Sequence, residues 1–161
     1  MKNPELISLA VPTRDGAFIA SYSADGLAAV TFPSIRKPAL ARTVPAKMRS
    51  WHSTTSAALK AALAGRAPKK LPPLDLSAGT AFQQRVWNVL RKIQCGRTLS
   101  YAEVARALGK PGAARAVGGA CGSNPIPVLV PCHRVLAANR KIGGFSGGLR
   151  WKRLLLGREG G

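Results

Sequence analysis

The sequence predicts an α+β fold: a small strand-rich N-terminal domain, residues 1–70, a linker, 71–79, and a mostly helical C-terminal domain, 80–161. Three observations carry this. Residues 6–11, 17–22 and 27–32 are short apolar runs separated by Arg14-Asp15-Gly16 and Ala24-Asp25-Gly26, and Asp-Gly between apolar runs is a strong hairpin signal. Pro68-Lys69-Lys70-Leu71-Pro72-Pro73 marks a linker through its prolines. Beyond it, Thr80-Ala81-Phe82-Gln83 and Ser100-Tyr101-Ala102-Glu103 both have the spacing of a helix capping box.

After the three strands and a Pro-rich stretch, residues 53–64 read as a helix, with Leu59 and Leu63 one turn apart and Gly65 placed to end it. Nothing in this part carries an obvious reactive group, and His52 reads as a surface residue. The Thr80 box opens a helix whose apolar stripe is Phe82, Val86, Val89, Leu90 and Ile93. The Ser100 box opens a second helix that runs to Leu108 and stops at Gly109, which accounts for Glu103 structurally. Gly109-Lys110-Pro111 then turns the chain into a third helix over 112–121, the pattern of a helix-turn-helix.

That third helix is smooth. In Ala113-Ala114-Arg115-Ala116-Val117-Gly118-Gly119-Ala120 the one long polar side chain is Arg115, whereas base readout in a major groove needs several. Small residues fit tight packing against a neighbouring helix or the close approach of a ligand equally well. A single long cation among them suits a narrow groove or a gap in a base stack.

Gly122-Ser123-Asn124-Pro125 turns into an apolar run, residues 126–130, which reads as buried and is followed by Pro131-Cys132-His133-Arg134-Val135. A buried thiol is normally inert, because burial raises its pKa and the thiolate is the nucleophile. His133 can act as the base that offsets this, or the pair can be plain core residues. Further on, Ala138-Asn139-Arg140-Lys141 reads as a hairpin tip. Residues 143–148 form a glycine-rich loop whose backbone can come close to a ligand, residues 149–156 a last helix, and Glu159 a terminal acid.

Composition narrows the partners. With 25 Lys and Arg against 6 Asp and Glu the net charge is +19, which favours a polyanion. The basic residues are dispersed and form no long amphipathic helix, so nucleic acid is expected and a membrane is not. No apolar run is long enough to span a bilayer and no signal-peptide core is present, which predicts a soluble cytoplasmic protein, or a nuclear one in a eukaryote. Three cysteines, Cys95, Cys121 and Cys132, are an odd count without disulfide spacing, and with two histidines no zinc pattern can be written. Reduced thiols and no metal are expected.

Pro131-Cys132-His133-Arg134-Val135, taken with Arg115-Ala116-Val117-Gly118-Gly119-Ala120, Asn124-Pro125 and Gly144-Phe145-Ser146-Gly147-Gly148, closely resembles the O6-alkylguanine-DNA alkyltransferases. The motifs occur in the family's order, and the likeness covers about residues 80–159. The resemblance implies a ribonuclease-H-like fold for the N-terminal sheet domain. It also implies a monomeric DNA repair protein that flips O6-alkylguanine out of duplex DNA and moves the alkyl group irreversibly to Cys132, once per molecule and without a cofactor. In that reading Glu159 orients His133, which deprotonates Cys132 through a water, and Asn124 joins the network. Tyr101 helps turn the backbone and donates to guanine N3. Arg115, on the slim helix with Ala114, replaces the flipped base, the Ser146 N–H meets O6, and the carbonyls of Cys132 and Val135 read the exocyclic amine. Cys121, Cys95 and Phe145 depart from residues common in the family and bring spare thiols and lid packing into question. A lesion-binding relative without transfer activity is the alternative, but such proteins lack the reactive cysteine.

Overall fold

A computed structural model of the chain describes residues 5–34, 39–145 and 147–160. Strands β1 (Ile7–Thr13), β2 (Gly16–Ser23) and β3 (Gly26–Thr31) form an antiparallel sheet in that order. The two turns repeat one device. Gly16 and Gly26 take φ +113° and +154°, and the Thr13 and Ser23 hydroxyls each accept the following aspartate's N–H at 3.1 Å.

Helix α1 (Ala46–Leu63) begins well before the expected residue 53. Its first turn has no side-chain cap; Pro45, at φ −54°, leads into Ala46-Lys47-Met48-Arg49, good helix formers anchored by buried Met48. His52 is half-buried, not a surface residue. Its ring bridges the Tyr22 hydroxyl at 2.7 Å and the Ala10 carbonyl at 3.0 Å, because α1 lies across the sheet and turns this position inward.

Helix α2 (Ala81–Leu90) is closed at its start by the full Thr80–Gln83 capping box. Its stripe packs as expected and gains Trp87, buried, with Nε1–H donating to the Ala120 carbonyl at 2.8 Å. Strand β4 (Leu99–Ser100) leads into α3 (Tyr101–Ala107), capped by Ser100 and Glu103. A turn with Gly109 at φ +73° then gives α4 (Ala114–Gly122).

Residues 126–135 are buried throughout, and Val128 is held at φ +75°, a conformation a β-branched residue rarely adopts. Strand β5 (Val135–Leu136) pairs in parallel with β4. The expected hairpin tip is a turn, closed by Ala137 N–H to the Lys141 carbonyl at 2.8 Å, but it joins no hairpin because β5 is already paired elsewhere. Helix α5 (Leu149–Arg158) follows, with Glu159 at its C-cap.

The core runs without a break from Phe18, Tyr22, Leu27 and Leu59 to Leu90, Val117, Ile126 and Leu155. Trp151 on α5 stacks against Phe18 and Phe32 with ring centroids 5.4 and 5.1 Å apart, and Val30 N–H donates to the Pro125 carbonyl at 2.9 Å. The glycine-rich loop rests on the same aromatic group: Phe145 meets Phe32 at 5.8 Å, and a Cβ on Gly147 would collide with the Phe32 ring. Among the described residues no helix is long and apolar enough to cross a membrane.

Candidate active site

The Asn124 amide sets up the buried run. Its Nδ2 donates to the Val130 carbonyl at 2.8 Å and its Oδ1 accepts the Ile126 N–H at 3.0 Å, folding residues 124–130 into a compact turn. The chain then enters one turn of 3-10 helix, Cys132–Arg134, whose three side chains all point inward, with residue exposures of 3%, 1% and 8%.

His133 and Arg134 converge on one acid. Nε2 of His133 lies 2.9 Å from Glu159 Oε1, and Arg134 donates from Nε to Oε2 at 3.0 Å and from Nη2 to Oε1 at 2.8 Å. Arg134 Nη1 also donates to the Ile93 carbonyl at 2.7 Å. Burial works against the Glu159 carboxylate, but the hydrogen bonds from His133 and Arg134 outweigh it and hold the acid at about 2. An ionised carboxylate only accepts, so the proton of a neutral His133 sits on Nε2 and the lone pair on Nδ1. Nδ1 is buried and has no hydrogen-bond partner among the described residues. It is placed to take a proton.

Burial pushes His133 below the usual imidazole range, Glu159 opposing, so the resting ring is neutral near pH 7. Burial also pushes the Cys132 thiol up, against Asn124 and the Lys152 charge, which both favour the thiolate. The resting pair is therefore thiol and imidazole. Any chemistry that needs the thiolate would first have to remove that proton.

Cys132 borders a cavity of about 130 Å³ lined by Tyr101, Gly118, Cys121, Gly122, Gly144 and Phe145. Tyr101, Gly118 and Gly144 also line an open groove of about 900 Å³, which adds Arg106, Ala114, Arg115 and Arg140. The thiol thus communicates with a basic surface. Arg115 is exposed there. At Gly118, Gly119 and Gly122 a Cβ would meet nothing within 4 Å, so tight packing against a neighbouring helix is not what these small residues serve.

The structure brings Cys132, Tyr101, Arg115 and Ala114 along one cavity and groove, with His133, Glu159 and Asn124 behind the thiol. The Val135 carbonyl already accepts from Lys152 Nζ at 2.7 Å, and Ser146 lies outside the described residues. Of the spare thiols, Cys121 shares the Cys132 cavity and is pushed by burial to about 12, while Cys95 donates to the Gly65 carbonyl at 3.2 Å, away from it.

Two residues escaped the sequence reading. Arg134 is the second partner of Glu159. Lys152, fully buried, straps the loop to β5 by donating to the Gly144 carbonyl at 3.0 Å as well as to Val135. Its signal is helical spacing: residues 152, 155 and 159 share one face of the last helix, so a lysine there faces inward.

Residues 81–161 match the family model described as 6-O-methylguanine DNA methyltransferase, DNA binding domain. Over 84 residues the chain is 52% identical to a methylated-DNA–protein-cysteine methyltransferase of Shigella flexneri, covering 52% of this chain and 49% of that protein. A Mycobacterium bovis protein of the same name is 52% identical over 101 residues, 63% of this chain and 61% of its own. The chain therefore spans about half to three-fifths of the length of these curated relatives. Among solved structures, Mycobacterium tuberculosis OGT in complex with DNA superposes with a TM-score of 0.76 at 38% identity, covering 93% of this chain and 90% of that one.

Proposed function

The chain belongs to the 6-O-methylguanine DNA methyltransferase family, and on that premise we propose that it repairs duplex DNA by moving the alkyl group of an O6-alkylguanine to its own Cys132. The observation that carries this is a buried thiol on a cavity that opens into a basic groove, backed by an imidazole whose Nδ1 is free to accept a proton.

The step is a displacement at saturated carbon. Sγ of Cys132 attacks the alkyl carbon, the carbon–O6 bond breaks, and a thioether forms. A soft thiolate suits this and a hydroxyl does not. The thiol proton passes through a water to His133 Nδ1, and Glu159 steadies the imidazolium. Guanine leaves with a proton from the Tyr101 hydroxyl; the imidazolium then gives up the proton it took from Cys132, which returns through water to Tyr101 and leaves His133 neutral again. Nothing in the site can displace a thioether, so each molecule reacts once, with no cofactor.

Inside a duplex the O6-alkyl carbon is out of reach, so the nucleotide is flipped out. Helices α3 and α4 act as a helix-turn-helix laid along the groove, with Ala114 and the glycines of α4 close to the backbone and Arg115 filling the gap. The proposed contacts to the base are the Ser146 N–H to O6 and, from the exocyclic amine, the Cys132 carbonyl and the lone pair of the Val135 carbonyl that Lys152 leaves open. Residues 80–161 form the DNA-binding and transfer domain, joined by linker 71–79 to a ribonuclease-H-like domain over 1–70, in a monomer that works in the cytoplasm.

The test is intact mass after mixing with a duplex oligonucleotide carrying O6-methylguanine. The wild type should gain one CH2 permanently and Cys132→Ser should gain none while still binding DNA. Binding without any mass gain in the wild type would make it a lesion-binding protein instead.

A further inference from the structure

Glu159 occupies an awkward place for a carboxylate. It caps the C-terminus of α5, where the helix dipole disfavours negative charge and where last turns fray. Besides Arg134 and His133, which hold the carboxylate, a second set of bonds holds that end from the N-terminal half. Arg158, its neighbour, turns away from the site and grips Asp15 with both arms, Nη1 to Oδ2 at 2.7 Å and Nη2 to Oδ1 at 2.8 Å. Nη1 also donates to the Leu63 carbonyl at 2.8 Å. Asp15 sits in the β1–β2 turn and Leu63 ends α1, so one side chain ties α5 to both elements. The backbone closes the same seam: a Cβ on Gly65 would collide with the Arg158 carbonyl.

Consecutive side chains on a helix diverge by about 100°, so Arg158 and Glu159 face different partners while sharing one helical phase. A planar, bidentate grip fixes orientation as well as distance. Fixing Arg158 therefore fixes where the next side chain points. We propose that Asp15 is a positioning residue for alkyl transfer: through Arg158 it holds the last turn of α5 so that the Glu159 carboxylate stays behind His133.

This role rests on the proposed function, and it leaves a kinetic mark that a purely structural tie would not. The groups acting on His133 are Glu159, Arg134 and Lys152, and of these Glu159 favours the imidazolium while the two cations oppose it. If Glu159 drifts, His133 becomes a weaker base. Transfer slows, and the acid limb of its pH–rate profile moves to lower pH.

The experiment measures the rate of benzyl transfer from free O6-benzylguanine against pH, without DNA and well below each melting temperature. It compares wild type, Asp15→Asn, Arg158→Gln and the double variant, with Asp25→Asn, the exposed aspartate of the other Asp-Gly turn, as control. Asp15→Asn should be slower by about tenfold to a hundredfold, the range of a small misplacement, with its acid limb displaced downward. The double variant should be no slower than the slower single one, since both break one link. Asp25→Asn should match wild type. The role is overturned if Asp15→Asn keeps the wild-type rate and limb, even with a lowered melting temperature, or if the two losses multiply. Asp15→Asn is nearly isosteric and decides the matter if Arg158→Gln fails to fold. If the wild type takes no benzyl group, the same four proteins and the control are compared on the O6-methylguanine duplex with the same expected ratios; a wild type that takes neither group sinks the proposed function, and this role with it.

Discussion

A guanidinium as buried as that of Arg134 has to find a carboxylate, and after residue 80 the chain contains two, Glu103 and Glu159. Glu103 is engaged at its own helix start, closing the Ser100 capping box, which leaves Glu159. Sequence alone does not reach this pair by elimination, since Arg158 finds its carboxylate before residue 80, at Asp15; Arg134 also sits beside an apolar run, where a cation invites the assumption that it points outward. Cys132 and His133 stand out because they interrupt that run, but the residues alone leave a plain core pair open and the family resemblance is what singles them out. Lys152 was harder, since a lysine on an amphipathic helix is usually solvated and only its phase with residues 155 and 159 says otherwise. Arg134→Met should cost about 3–5 kcal/mol, the usual loss when one partner of a buried ion pair is removed. Urea unfolding at neutral pH measures it. The same variant should raise Glu159 from about 2, because one of the groups holding it there is gone. A loss below about 1 kcal/mol, as for exposed pairs, would mean that water reaches this acid after all.

Helices α2 and α3 could be placed from sequence because a capping box joins a side-chain signal to a backbone need at a fixed spacing. Helix α1 starts without such a box, so its first turn was unreadable and Ser53 offered a false beginning. The β4–β5 pair is two residues long and its partners lie far apart in the chain; no local pattern announces it. Helix α4 reads as slim in the sequence, which leaves tight packing and close approach of a ligand equally open; the open space above Gly118 removes packing as the reason for that glycine. Glycine inside a helix is less favourable than alanine by about 0.5–1 kcal/mol. Gly118→Ala should therefore stabilise the fold by about that amount, since no atom lies where the methyl would go. It should at the same time weaken binding to duplex DNA, because Gly118 lines both the groove and the thiol cavity. Melting temperature and DNA affinity, measured on the same variant, should move in opposite directions. Destabilisation would mean hidden packing around α4, and unchanged affinity would move the DNA away from it.

The whole molecule carries +19 with six acids, and four of those acids are committed to structure, Glu103 through the Ser100 capping box and three others through bonds that hold their carboxyls low. Asp15 is held low by its bond to Arg158, Asp75 by the Ser23 and Ser77 hydroxyls, and Glu159 by His133 and Arg134 against burial. A group whose folded pKa is depressed binds its proton more readily in the unfolded chain, so stability falls as pH drops between the two values. Two windows follow. Burial lowers both His52 and His133 from 6.5, so below about that pH the unfolded chain takes up protons that the folded one refuses. Below 4.5 the carboxylates add a second, steeper loss that for Glu159 continues to about 2. Over the same range the net charge climbs toward the full count of 25 Lys and Arg, and self-repulsion adds to the loss. The melting temperature should accordingly be nearly level from pH 7 to 8, decline gently below about 6.5 and steeply below about 4.5. Added salt should recover the repulsive share but leave the part that belongs to buried pairs, which are screened much less. Glu159→Gln separates the two. It should melt lower than wild type at pH 7, yet lose less on going from pH 4.5 to 2, because the proton linkage of that carboxylate has been removed. A variant as acid-sensitive as wild type across that window would show that the charge of the whole chain, and not the buried acid behind His133, governs its unfolding in acid.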